Sequence, residues 1–548
     1  MLDTPAGLQI PSLLPVFHNV NSAGVLPCPS RRELADEIWV IDCSPEGHQP
    51  DVPTRIFTGA QQLVCITIAV RYGASKPDTP ATVRFASVAG SREGKFATLA
   101  SVDLDGSGWA ECGTKWCAPF VPAAADGWSA LPALDDLLAW SGSGTMPGRT
   151  WVVAPSPAVL KERRKTLIAA KKEDGKRGLL AEHPVERTVH TRLTDNLPGY
   201  EPAGRTIADE TDACVQPVRH AYRSFDRQWI IPDKRVINQP NPSLWQEREA
   251  PGQLFLTGLQ VHAPSKGPAL TACALVPDLH HFRGSFGGRA WPLWLDAAGT
   301  RPNVVPGLLE ALASRYQRAV SGPDVFADIA ALVASPAYVD RFSSELLTPG
   351  LRIPLTADAS LFAETADLGR RVLWLDSFGE RFVNAAQGRP PGAPRLPQGE
   401  RLLVTATIPD TAAGLPETID YDAVTRTLSV GLGSVAPVDP AVWGYEVSGM
   451  KVVKRWLDRR KKQPDGRRSS PLDDVVPQTW EPAWTTELLE VLNVLALLVA
   501  LEPEQKSLLD RVLSGPLSST ADLTATGVIP AQNRPISEKP QKAGQLLA

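Results

Sequence analysis

The sequence has no apolar run long enough to cross a membrane. Its longest, 488–501, contains Glu490 and Asn493 and falls short of the roughly 20 residues a span needs, so it reads as a buried helix. No signal peptide opens the chain. The seven cysteines (Cys28, Cys43, Cys65, Cys112, Cys117, Cys214 and Cys273) are odd in number and scattered, which fits reduced thiols in the cytoplasm better than a disulfide framework. No period of about 20 to 50 residues recurs, so a solenoid is not expected. An excess of either charge is missing too: 56 Lys and Arg face 60 Asp and Glu. Any surface for nucleic acid must therefore be a local patch.

Catalytic signatures are equally sparse. There is no G-x-x-x-x-G-K-[ST] phosphate loop, H-E-x-x-H, G-x-S-x-G or G-x-G-x-x-G. The Asn/Asp-Pro-Pro-aromatic turn, by which amino methyltransferases hold a target amine and stack an extruded base, is also missing. Pro240-Asn-Pro-Ser243 and Arg389-Pro-Pro-Gly392 lack its order. A zinc site could be assembled from Cys112, Cys117, Asp278, His280 and His281, but C-x4-C without a second nearby pair is weak. A Ser triad on Asp278 and His280 is weaker still. Loop packing and surface polarity explain these residues better, and no metal is expected.

What is present is a globular composition: 548 residues, 43% hydrophobic, with 51 Pro and 42 Gly. Two or three domains with many loops follow. Residues 1–30 are irregular, broken by Pro11, Pro15, Pro27 and Pro29. Apolar runs at 37–42, 63–70 and 82–88 read as strands with both faces buried, and 91–100 as a helix capped by Ser91. Together, 31–150 read as an incomplete α/β layer, with Trp109, Trp116, Trp128 and Trp140 in its loops. A charged connector spans 151–215. Residues 216–388 begin β-rich, with strands at 229–231, 253–259 and 270–276. They continue as helices at 304–320, 324–334, 338–347 and 358–374, the last burying Leu361, Phe362, Ala366, Leu368 and Leu373. A Pro-rich linker covers 389–400. In 401–516, 418–422 and 427–431 alternate as a hairpin, and two helices follow at 485–501 and 503–513, the second opening on Pro503. Residues 517–548 read as a disordered tail. The fold class is α+β.

One segment stands out chemically. Lys451, Lys454, Arg455, Arg459, Arg460, Lys461, Lys462, Arg467 and Arg468 face only Asp458 and Asp465. On a helix, Val452, Val453, Trp456 and Leu457 would turn inward and leave the cations outward. Such a stripe neutralises phosphates and releases counterions. The bland alternative is a solvated helix face, but nine cations in eighteen residues of a slightly acidic chain favour phosphate contact. The run 161–177 is a poorer candidate, diluted by Glu162, Glu173 and Asp174.

Several stretches resemble a known family. Asp36-Glu-Ile-Trp-Val-Ile-Asp42, Arg55-Ile-Phe57 and 61–71 are similar to the part after the catalytic turn of γ-class N6-adenine DNA methyltransferases. Trp140-Ser-Gly-Ser-Gly144 through Arg149 resembles the segment leading into their specificity region. Tyr222-Arg-Ser-Phe-Asp-Arg-Gln-Trp229 is similar to the Tyr-Arg-Pro-Phe-Asp-x-Arg signature of type ISP and type IIG restriction-modification enzymes, with Ser224 for the usual Pro. Ser335-Pro-Ala-Tyr-Val-Asp-Arg-Phe342, Arg352-Ile-Pro-Leu-Thr356 and Tyr445-Glu-Val-Ser-Gly-Met-Lys-Val-Val-Lys-Arg-Trp456 resemble the type ISP specificity domain. The resemblance spans about 31–515. It implies a methyltransferase-like layer followed by a mixed β and helical specificity domain that binds double-stranded DNA. The S-adenosylmethionine loop and the Asn-Pro-Pro-Tyr turn of the family are not in this sequence, so a separate catalytic half is the expected partner and no cofactor is expected here. The resemblance places Phe57 near an extruded base, although an aromatic there is more often core. It makes Arg227 a candidate DNA contact, lets Asp226 bridge an arginine at the domain junction, and leaves Trp229 as core. The alternative is a non-catalytic scaffold derived from such an enzyme, with the Trp-rich loops serving protein contacts.

Overall fold

The computed structural model describes residues 32–530, apart from 34, 46–53, 58–63, 73–78, 115–119, 123–125, 183–186, 194–196, 198–203, 213–215, 260–261, 348–349, 465 and 467. Near the N-terminus, β1 (Glu37–Asp42), β2 (Cys65–Val70), β3 (Thr82–Ser87) and β4 (Ala110–Glu111) form a sheet in the order β2-β1-β3-β4. β1 runs antiparallel to β2 and parallel to β3. It is buried on both faces, as its sequence requires: Ile38 and Val40 pack with Val83, Phe85 and Phe120, while Ile41 packs with Ile56, Val64 and Val88 on the other side. Helix α1 (Arg92–Ala100) starts where Ser91 accepts the Gly94 N–H. The expectation fails at β2, where only Cys65 is buried and the other five residues are half-buried or exposed. Among the described residues β2 has a neighbour on one side only, so its apolar run marks a sheet edge.

Where 151–215 is described, the expected charged connector is packed into the body of the fold. β5 (Gly142–Ser143) and β6 (Val153–Ala154) lead into α2 (Pro157–Ala169) and α3 (Glu173–Leu180). Trp151, Leu160, Leu167, Leu180 and Ile207 lie in one core with Ile230, Ile237 and Trp245. Three cations of the run are themselves buried: Arg163, Arg164 and Lys176. Arg164 pairs with Asp233 at 3.2 Å and Glu210 at 3.6 Å. These partners are distant in sequence, so counting local charges could not find them.

Two sheets follow. β7 (Val218–Arg223) and β8 (Asp226–Ile230) join β6 in the order β6-β8-β7, and β9 (Phe255–Leu259), β10 (Leu270–Cys273) and β11 (Gly288–Pro292) join β5 in the order β10-β9-β11-β5. Both bring residues near 142–154 into the central body.

The helical part packs α4 (Leu308–Tyr316), α5 (Gly322–Val333), α6 (Pro336–Arg341) and α7 (Ala359–Asp376). Asp358 caps α7, and all five residues expected on its inner side are buried. α7 crosses α5 at Gly369, where a Cβ would lie 1.7 Å from the Ala327 carbonyl oxygen, so only glycine fits the approach. The Pro-rich segment is anchored: the Leu396 N–H donates to Asn493 Oδ1 at 2.9 Å. β12 (Leu403–Ala406), β13 (Ile419–Asp422), β14 (Thr427–Val430) and β15 (Gly433–Ala436) then form a sheet in the order β12-β15-β14-β13, with the expected hairpin as β13 and β14.

After α8 (Val452–Asp458), the C-terminal pair of helices proves to be one, α9 (Pro482–Ser514), with Pro503 inside it. Proline removes one helical hydrogen bond and crowds the preceding turn. Packing on both sides of it overrides that cost: Leu495, Leu498, Leu501, Leu508 and Leu509 are buried, and the Gln505 amide donates to the carbonyls of Ala331 and Ala334. Taken whole, at 33 residues, α9 is long and apolar enough to cross a membrane, which the run 488–501 alone is not; it packs against α5, α6 and α7. The tail is also ordered further than expected. Ser519 and Asp522 form a capping box for α10 (Thr520–Ala525), and Leu523 and Val528 are buried. Residues 531–548 lie outside the described set.

Candidate nucleic-acid interface

The segment Tyr222–Trp229 turns between β7 and β8, with Phe225 at φ 64°. Ser224 is buried. Its N–H donates to the His281 carbonyl at 2.7 Å and its Oγ to the Phe282 carbonyl at 2.9 Å. Proline could supply neither donor, so this chain ties the turn down by a different bond. Asp226 does bridge an arginine, and that arginine is Arg460 at 3.1 Å. The signature's closing arginine is replaced by Gln228, whose Nε2 donates to Asp226 Oδ2 at 2.6 Å. Arg227 pairs with Glu490 and, at 3.5 Å, with Glu380, and lies 3.8 Å over the Phe378 ring. Its charge is thus engaged within the fold in the free protein. Trp229 is half-buried, with Arg219 over its ring at 5.0 Å.

The basic segment divides in two. Val452, Val453, Trp456 and Leu457 are buried on α8, as the spacing requires. Lys451 and Lys454 are exposed and Arg455 half-exposed. Arg460 overturns the expectation of outward cations. It is fully buried, stacks 3.6 Å over Trp456, and pairs with Asp226 and, at 3.5 Å, with Glu487. It falls just past the end of α8, where helical spacing no longer sets its direction. Lys461 pairs with Asp458, Lys462 with Glu417 and Arg468 with Asp474. Arg467 lies outside the described residues. The Lys462 and Arg468 pairs are exposed, and such pairs contribute below about 1 kcal/mol and exchange readily for a phosphate.

Beside this segment a cleft of about 880 Å³ opens, lined by Gly148, Arg149, Tyr222, Arg223, His280 and Arg468 among others. Stretches around 148, 222, 280 and 468, the outermost more than 300 positions apart, therefore meet in one place. Arg149 builds the wall by donating to the carbonyls of Leu180, Val236 and Arg187 and to Asn238. Gly148, at φ 72°, has no room for a Cβ, which would sit 2.0 Å from Asn238 Nδ2. Arg223 pairs with Asp278 at 2.8 Å. Burial pushes the Asp278 carboxyl up, but Arg223 and His220 outweigh it and hold the group at about 2. Burial likewise raises the Tyr222 phenol, yet Arg223, Arg459 and Arg455 bring it below its ordinary value. Arg459 lies 5.5 Å over the Tyr222 ring. Three arginines (Arg149, Arg223 and Arg468) thus line the cleft against two carboxylates (Glu182 and Asp278), although the whole chain is slightly acidic.

A narrower groove, lined by Arg163, Arg459, Arg468 and Asp473 among others, adjoins the cleft and shares Arg468 and Thr150 with it. Arg163 was hidden in the diluted run 161–177, and no local signal distinguishes it. Phe57 is 43% exposed beside the N-terminal sheet, not core. The zinc candidates do not converge: Cys112 packs in that sheet, Cys117 is not described, and His281 Nδ1 meets Thr257 Oγ1 at 2.9 Å. Burial depresses the His281 imidazole to about 3. Among the described residues no group of three or more His, Cys, Asp or Glu could hold a metal.

Residues 136–491 match the family described as the Type ISP C-terminal specificity domain. The chain belongs to this family. Its specificity domain takes in the cleft, the groove and the basic segment up to Arg468, whereas the β1–β4 sheet precedes the match. No curated protein matches the chain. Among solved structures, it resembles one of a DrdV–DNA complex, with 16% identity and TM-score 0.59 over 89% of this chain and 48% of that one. It also resembles a nuclease-deletion mutant of the Type ISP restriction-modification enzyme LlaGI in complex with a DNA substrate mimic (14%, TM-score 0.57, 87% and 37%). A third is the ATP-dependent Type ISP restriction-modification enzyme LlaBIII bound to DNA (13%, TM-score 0.57, 87% and 31%). The chain spans less than half the length of each, and at such identities the likeness is one of fold.

Proposed function

We propose that this chain is the DNA-recognition portion of a type ISP-like restriction-modification system, binding duplex DNA in the cleft between β7 and the basic segment. The observation that carries the reading is convergence: Gly148 and Arg149, Tyr222 and Arg223, and Arg459 and Arg468, remote in sequence, line one cleft and its adjoining groove, where arginines outnumber carboxylates. Phosphate contacts there supply affinity and register, and base contacts supply specificity. The DNA complexes among its structural relatives support the same reading.

Adenine methylation would then be the task of a separate catalytic half that binds S-adenosylmethionine and carries the Asn-Pro-Pro-Tyr turn. The β1–β4 sheet is the part of a methyltransferase-like layer on which that half would dock. In the test, fluorescence anisotropy follows a labelled duplex at low salt. Wild type should bind, and Lys454→Gln/Arg455→Gln/Arg459→Gln should lose at least tenfold at unchanged melting temperature. Equal affinity of the two proteins would refute the assignment of the surface.

A further inference from the structure

The groove beside the cleft holds about 40 Å³, room for roughly three water-sized groups. One wall is Arg163 on α2, only 6% exposed. Its Nε donates to the Val475 carbonyl at 3.1 Å, and its Nη1 to those of Trp151 and Val153 at 2.9 and 3.3 Å. Among the described residues the remaining nitrogen, Nη2, has no hydrogen-bond partner, and the side chain lines the groove. Arg459 and Arg468 line the same groove from the basic segment. The acidic group among them, Asp473, is committed: its Oδ2 accepts from Thr150 Oγ1, from the N–H and Oγ of Ser469, and from the Ser470 N–H. Arg468 also pairs with Asp474, both 62% exposed, an exchangeable contact.

Burial depresses the Arg163 guanidinium to about 10; Asp473 opposes that shift and Arg459 adds to it. Arginines held this close repel one another, and an anion between them relieves the repulsion. Their forked donors match the oxygens of a phosphate better than a point charge would. We propose that this groove is a phosphate-binding pocket in which Arg163, Arg459 and Arg468 close on one phosphodiester of a bound duplex. That the phosphate comes from DNA rests on the function proposed above. The contact reads no base; it fixes where the backbone crosses the domain.

Two measurements separate the pocket from the DNA reading. First, the melting temperature is followed as inorganic phosphate replaces chloride at constant ionic strength. Wild type should gain a few degrees at millimolar phosphate and Arg459→Gln/Arg468→Gln should not; equal responses overturn the pocket. Arg163 is left intact because three carbonyls depend on it. Second, the salt dependence of duplex binding identifies the source. The slope of log K against log salt is about 0.9 per neutralised phosphate. Three arginines sharing one phosphate predict that the double variant, which keeps only Arg163 there, loses duplex affinity and lowers the slope by no more than about 0.9. Unchanged affinity, or a loss of about 1.8 from two separate contacts, overturns the shared phosphodiester. A phosphate response without any duplex binding sustains the pocket and refutes the DNA reading alone.

Discussion

Arg460→Ala should damage the fold rather than the DNA surface. Arg460 is fully buried and holds Asp226 at 3.1 Å and Glu487 at 3.5 Å. Its removal leaves Asp226 buried with only the Gln228 amide, while Glu487 keeps Arg219 at 2.7 Å. Breaking a buried pair from one side costs about 3–5 kcal/mol, and the lost stacking on Trp456 adds to it. Against the roughly 5–15 kcal/mol that holds a domain together, that is a large fraction. Urea denaturation should show a much lower midpoint for Arg460→Ala and little change for Arg459→Ala, although the two arginines adjoin. Arg460→Met with Asp226→Leu, which removes both charges, should recover most of the loss. The reasoning is refuted if Arg460→Ala melts within about 0.5 kcal/mol of wild type.

Three further outcomes follow from the same structure. Arg227→Gln should lower stability but leave the salt slope of duplex binding unchanged, because its charge faces Glu380 and Glu490; a flatter slope would restore it as a DNA contact. Burial raises the carboxyls of Asp328 and Asp376 to about 7. Each is therefore protonated more readily folded than unfolded, and stability falls as pH rises from about 4 to about 7, by at most on the order of 4 kcal/mol per group. Asp376→Asn should flatten that loss in melts across pH, and an unaltered profile would show that the carboxylate is accommodated. Pro503→Ala should raise the melting midpoint, since proline inside a helix is disfavoured by up to about 3 kcal/mol against alanine; a lower midpoint would mean that α9 depends on the proline's shape.

The parts that were legible in the sequence are those governed by local periodicity or a local cap. β1, α1 behind Ser91, the inner side of α7 and the β13–β14 hairpin were all readable in this way. Long-range partners escaped. Arg164 and Arg460 look like surface cations until Glu210, Asp233, Asp226 and Glu487 are brought to them. Continuation of α9 through Pro503 is likewise decided by what packs on either side. The candidate site shows the same division: the basic segment announced itself by composition, whereas Arg163 and the Gly148–Arg149 wall join it only through the fold.

Hydrogen–deuterium exchange with and without a duplex tests the central claim most directly. Binding in the cleft predicts slowed exchange at 146–150, 222–223, 278–284 and 451–459, the segments that line or flank it. Protection confined to the exposed β12 edge, or none at saturating duplex, would contradict the account.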